Sequence, residues 1–150
     1  HGIQALDLLG RKVVMDGGAG LKLLATRVND TLQQAAHDAE LAPHANALAA
    51  ALQRLGAATR AAWSTGVPEE ALANATPYLQ AFGHVVLAWV WLGVALAARQ
   101  TAGARAERLR PGALAALRYF MAFELPKIDA WLAPVAAREA VCREMRDERF

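Results

Sequence analysis

No charged residue stands between Glu70 and Arg99, and this gap restricts what the chain can fold into more than any other feature does. Nearly every position from 82 to 98 is apolar. A helix that is apolar on most sides has to be covered, by lipid or by the rest of a protein. A membrane span takes roughly 20 apolar residues, and the strongly apolar part here is the shorter stretch 82–98. Asn74, Thr76, Gln80 and His84 dilute the segment before and at its start, and Pro77 interrupts it. Thr76, Gln80 and His84 are four apart and so share one helical face. The expectation is a central helix buried on most sides, with no membrane span. A small membrane protein using residues 71–98 is the alternative.

Alanine makes up about a quarter of the 150 residues and costs least of all residues in a helix. The β-branched and aromatic residues that favour strands are sparse, so the chain reads as all-α. The net charge of +2 comes from 16 basic and 14 acidic residues spread along the chain. That balance offers no case for a nucleic-acid stripe or an acidic ligand. The single cysteine, Cys142, excludes an internal disulfide and fits a reducing, cytoplasmic setting. The opening residues lack the basic start and long apolar run of a cleavable signal. With no initiating methionine, the chain reads as a piece of a longer protein.

Helical periodicity recurs throughout, without a convincing strand. A first helix over residues 3–15 carries Ile3, Leu6, Leu9, Val13 and Val14. Three glycines within residues 16–20 then break the chain, and this is the candidate hinge. A second helix over residues 20–41 has the stripe Leu21, Leu24, Val28, Leu32, Ala35, Ala36 and Ala39. Pro43 restarts the chain for a third, with Leu48, Leu52, Leu55, Ala58 and Ala62 inside. Pro68, with Glu69 and Glu70 in the first turn, opens a fourth over residues 69–100. Pro77 predicts a kink or short break near Asn74. Residues 101–110 read as a solvated connection. A last helix runs over residues 111–147 through Pro126 and Pro134, with Leu114, Leu117, Phe120, Met121, Leu125, Ile128, Leu132 and Val135 apolar. The sum is an up-down four-helix bundle of long kinked helices (residues 20–147), preceded by one helix (residues 1–16) that belongs to another domain.

Chemistry is thin. His1, His37, His44 and His84 form no metal-ligand spacing. His84 sits within the apolar helix and needs a partner, and Gln80 one turn away is the nearest local candidate. No nucleophile or carboxylate stands at helical spacing to make it a base. Cys142, among Arg138, Glu139, Arg143 and Glu144, reads as an inert surface thiol. Gly17, Gly18 and Gly20 lack the strand before them and the lysine after them that a phosphate loop requires. Tyr78, Phe82, Trp89 and Trp91, facing Tyr119, Phe120 and Phe123, read as core. Their alternative is a free-standing binding module with a pocket lined by Phe82, Trp89 and Phe120.

Three blocks carry a resemblance. GIQALDLLGRK (residues 2–12), LANATPYLQAFGHVVLAWVWL (72–92) and ALRYFMAFELPKIDAWLAPV (116–135) resemble acyl-CoA dehydrogenases. They are most similar to the long bacterial subgroup that includes methylmercaptopropionyl-CoA dehydrogenases and has an extra C-terminal helical domain. The resemblance implies a parent enzyme that oxidises an acyl-CoA with FAD and forms a homo-oligomer. It places the catalytic glutamate a few residues before His1, outside this chain. Gly2 stands where family members carry a glutamine near the cofactor, so a contact there is by backbone only. Gln4 matches the second glutamine of that motif and is the other candidate for lying near FAD. The fragment itself is expected to bind no flavin and to catalyse nothing.

Overall fold

A computed structural model describes residues 2–149 of the chain. It is all-α, and no strand occurs among the described residues. The helices are α1 (Gly2–Asp7), α2 (Ala19–Ala35), α3 (Ala42–Ala62), α4 (Pro68–Leu72), α5 (Ala75–Gln100), α6 (Ala104–Tyr119), α7 (Lys127–Ala137) and α8 (Val141–Glu144). Wider π turns extend α1 over Leu8–Lys12 and α6 over Phe120–Glu124.

The bundle runs up and down through α2, α3, α5 and the α6–α7 pair. Its directions follow from cross-helix bonds. Trp89 of α5 meets Thr31 of α2, and Gln100 meets Gln34, so these two helices run the same way. Tyr78 near the start of α5 meets Thr59 near the end of α3, which runs opposite. Arg54 of α3 pairs with Asp129 of α7 at 2.8 Å. α3 and α5 form the middle of the bundle, and both α2 and α7 pack against each of them.

The seam between α3 and α5 repeats every seven residues. Tyr78, Ala81, Val85, Ala88, Leu92 and Ala95 alternate three and four apart, and all are buried. Leu48, Leu55 and Ala62 of α3 are buried at the same period, with Ala45, Ala51 and Ala58 beside them. A 3.5-residue period sets two helices at a shallow crossing angle. Alanine on every second core position of α5 leaves no bulk to hold the backbones apart. The alanine richness is thus spent at the seam as well as on helix propensity.

The glycine segment behaves as its composition demands. Asp16, Gly17 and Gly18 have φ of 52°, 67° and 84°, so the chain turns left-handed for three residues before α2. The fourth predicted helix does break where Pro77 requires. α4 ends at Leu72, Asn74 takes φ −121° and ψ 39°, and its buried side chain donates to the Glu139 carbonyl at 3.0 Å. The segment before the hinge joins the same apolar core through Ala5, Leu9 and Val13.

Several expectations need correction. In the first helix Ile3 is 86% exposed and Leu6 47%, because the buried row is Ala5, Leu9 and Val13. α2 ends at Ala35 rather than 41. Asp38 there accepts bonds from the Glu40 and Leu41 N–H groups, a local turn that competes with the helix and leaves Ala36 and Ala39 exposed. Residues 101–110 are not an open connection. α6 begins at Ala104, once Gly103 has supplied φ 111°, and Pro111 lies inside it. The last helix is not continuous to 147. Pro126 lacks the N–H that would extend α6, and the chain widens so that Leu125 N–H reaches the Phe120 carbonyl at 2.9 Å. This inserts one residue into the apolar row, which steps by five between Phe120 and Leu125 and then resumes at Ile128, Leu132 and Val135. α7 stops at Arg138, whose φ of 51° closes the helix left-handed.

α5 is long and apolar enough to cross a membrane by length and composition. One face of it is covered by the other helices, while Leu87, Val90 and Val94 remain 44–47% exposed.

Candidate functional site

Most of the sequence-predicted site residues are dispersed. Gly2 and Gln4 lie on the outer side of α1, both exposed, and nothing approaches within 4 Å of a Cβ built on Gly2. One side-chain amide and one open backbone, beside the exposed Ile3 and Leu6, do not enclose a flavin ring; these residues alone do not make its site.

The histidines stay apart as well. His1 lies outside the described residues. His37 falls in the turn after α2, His44 in the first turn of α3 and His84 inside α5. No three His, Cys, Asp or Glu side chains among the described residues come close enough to hold a metal ion. His44 is held below the usual imidazole range, first by burial and then by the charge of Arg118. Cys142 is exposed on α8.

His84 has the most developed surroundings. Its partner is not Gln80, which is exposed, but Glu124 in the π turn, with Nε2 3.1 Å from Oε2. Lys127 donates to both oxygens of Glu124, at 2.8 and 3.0 Å. Trp131 of α7 stands edge-on to the imidazole at 4.7 Å, and Phe120 lies 5.6 Å away. The carboxyl of Glu124 is held below its ordinary range, first by Lys127 and then by His84. The widened turn, forced by Pro126, is what aims Glu124 at α5. No feature of the local spacing around His84 signals a partner 40 residues on. Chemically the group is a hydrogen-bonded clamp between α5 and the bend.

The aromatic set divides between core and surface. Tyr78 is fully buried and packs on Phe82 at 6.1 Å. Trp89 turns toward α2 and donates to Thr31 Oγ1 at 2.9 Å. Phe120 faces His84, with ring centres 5.6 Å apart. Tyr119 and Phe123 are 58% and 64% exposed and stack on each other at 5.0 Å.

An apolar opening lies elsewhere, between the end of α5 and the start of α6. It is a groove of about 830 Å³ walled by Trp91, Val94, Ala97, Leu109, Ala113 and Ala116. Val94 joins it to the exposed Leu87 and Val90, giving one continuous apolar strip along α5. A strip of this kind marks a surface made to be covered.

No curated protein matches the chain. A family model described as acetyl-CoA dehydrogenase C-terminal like matches residues 24–146, from within α2 to beyond α8. That range is well over half of the chain, and its all-helical content is the one seen here; the chain belongs to the acetyl-CoA dehydrogenase C-terminal-like family.

Proposed function

We propose that the chain is the C-terminal helical extension of an FAD-dependent acyl-CoA dehydrogenase, a domain that packs and assembles while the chemistry takes place on residues outside it. The family match over residues 24–146 carries this reading. In such a parent, FAD supplies the hydride acceptor for α,β-dehydrogenation of an acyl-CoA. Within this chain, Gly2 and Gln4 would at most edge the cofactor, because both stand on open helix surface. The blocks at 72–92 and 116–135 favour the subgroup that includes methylmercaptopropionyl-CoA dehydrogenases. Residues 1–16 belong, in this reading, to the end of the catalytic domain, and residues 20–147 to the extension.

The assembly role rests on α5. Leu87, Val90 and Val94 form an apolar strip with no charge beside it on the helix, suited to the catalytic domain or to a second subunit of a homo-oligomer in the cytoplasm. α5 then serves as a core helix rather than a membrane span, and the chain should purify without detergent.

The test is flavin binding by the purified chain. Absorbance at the flavin band, with and without added FAD, should show no bound cofactor, and acyl-CoA should not be oxidised. A stoichiometric yellow complex overturns the proposal.

A further inference from the structure

Between α2 and α3 lies a second opening. Leu21 and Asn29 on α2 line it, as do Gln53, Gly56 and Arg60 on α3. It consists of two adjoining cavities of about 430 and 440 Å³, which share Leu21, Lys22, Gly56 and Arg60. Either volume alone falls within the range of small-molecule sites. From Leu21 to Asn29 the groove follows about 12 Å of helix, taking roughly 1.5 Å per residue.

The two arms differ in chemistry. Toward the glycine hinge the wall is Val13, Val14 and the ring of Trp63. The Trp63 N–H is already committed to the Leu9 carbonyl at 3.2 Å, so the indole offers this arm apolar surface only. In the other direction the wall carries the amides of Asn29 and Gln53. The two cations sit where the arms meet. Neither Lys22 nor Arg60 has a carboxylate within ion-pair distance among the described residues. Gly56 gives Arg60 its place: a Cβ there would stand 3.3 Å from Arg60 Nη1, so the guanidinium lies back over the bare glycine at the groove's centre.

We infer that the α2–α3 groove binds an amphipathic anion, with a phosphate or carboxylate held between Lys22 and Arg60 and an apolar substituent lying against Trp63 and Val14. Two unpaired cations at the middle of an otherwise uncharged groove supply the charge complementarity. A guanidinium matches either oxyanion with two parallel N–H bonds. The apolar arm excludes a bare inorganic ion as the preferred occupant. This inference does not depend on the role proposed for the parent enzyme.

Calorimetric titration of the full chain with octyl phosphate, below its micelle-forming concentration, tests the site. Octanoate and inorganic phosphate serve as parallel arms. Saturable one-to-one binding of an octyl anion is expected, and the tighter of the two identifies the oxyanion. The double variant Lys22→Gln with Arg60→Gln should bind at least about tenfold more weakly, the loss of one or more charge-assisted hydrogen bonds. Both side chains are exposed, so the fold should be unaffected. Gly56→Leu should give a similar loss with both charges kept, by filling the centre. Arg105→Gln, at the other groove, should change nothing. The inference is overturned if neither octyl anion saturates, if the double variant binds as the parent chain does, or if inorganic phosphate binds as tightly as octyl phosphate.

Discussion

The hydroxyl groups of Tyr78 and Thr59, both buried, meet at 2.8 Å inside the core. Thr59 gives its own proton to the Leu55 carbonyl at 2.8 Å, so Tyr78 is the donor across the α3–α5 seam. The two partners are therefore unequal. Tyr78→Phe removes one buried bond and should lower stability by about 1 kcal/mol. Thr59→Val strands a buried phenol and should cost more, roughly 1–3 kcal/mol. Adding Tyr78→Phe to Thr59→Val should then recover part of that loss. Urea unfolding of the three variants measures each term, and equal losses in the two single variants would contradict the assigned direction.

The same phenol makes the fold sensitive to alkali. Burial pushes the Tyr78 pKa from 10.0 up to about 12, although the bond to Thr59 opposes this. A group whose pKa is raised by folding contributes stability below its unfolded pKa and loses it as pH climbs through the folded one. Stability should fall between pH 10 and 12, by up to about 3 kcal/mol from this group. Tyr78→Phe should show a shallower decline over the same window, measured as thermal midpoint against pH.

Glu124 works at the acid end. Its carboxyl is held below the ordinary value of 4.5, by Lys127 first and His84 second. A depressed carboxyl contributes stability above its unfolded pKa and loses it as pH falls through the folded one. The acid limb of the stability profile should therefore be shallower in Glu124→Gln, starting below pH 4.5. Lys127→Met should flatten it more than His84→Gln does. Midpoints of acid unfolding followed by circular dichroism give the order.

Arg110 closes the carboxyl end of α5. Its Nε reaches the Ala98 carbonyl at 2.6 Å and its Nη2 the Thr101 carbonyl at 2.8 Å. Arg110→Met should cost about 1.5–3 kcal/mol, as expected for bonds from a charged donor. Arg110→Lys should restore only part, because an ammonium cannot span two carbonyls with a planar fork. The shift in urea midpoint is the measurement.

Neighbouring residues on α5 should respond in opposite ways. Ala88 is fully buried at the seam, and Ala88→Leu should cost about 1–3 kcal/mol by overpacking. Leu87 is 46% exposed, and Leu87→Lys should leave stability within about 0.5 kcal/mol. If the α5 strip is an assembly surface, light scattering should show Leu87→Lys lowering any self-association.

Local signals in the sequence were reliable where the physics is local. The left-handed turn at Gly17 and Gly18, the break before Pro77 and the burial of Leu48, Leu55 and Ala62 all follow from neighbours within a turn or two. The uncharged helix was also legible, although its split into an alanine seam and an exposed Leu87–Val90–Val94 strip was not. Both sides are apolar, and hydrophobicity alone does not say which one is covered. The start of α6 at Ala104 was hidden by Arg105 and Arg108, which are exposed and resemble a loop. Glu124 as the partner of His84 depends on a π turn, and that widening answers a proline two residues further on. Local spacing around His84 has no means of signalling it. Gly2 and Gln4 owe their candidacy to family resemblance alone, and their exposed positions add no argument for a ligand.

Three helix ends in this bundle are held from elsewhere in the chain. Arg110 grips the end of α5, Arg138 Nη1 the Ala61 carbonyl of α3 at 2.7 Å, and Asn74 the Glu139 carbonyl beyond α7. Helix termini ordinarily fray one at a time, at little cost, and exchange their amide hydrogens first. Here α3 cannot loosen its last turn without letting go of the segment after α7, and that segment is tied in turn to the break before α5. The carboxyl ends of α3 and α7 therefore share one opening event, and amide exchange near Ala62 and Ala137 should proceed at a common rate.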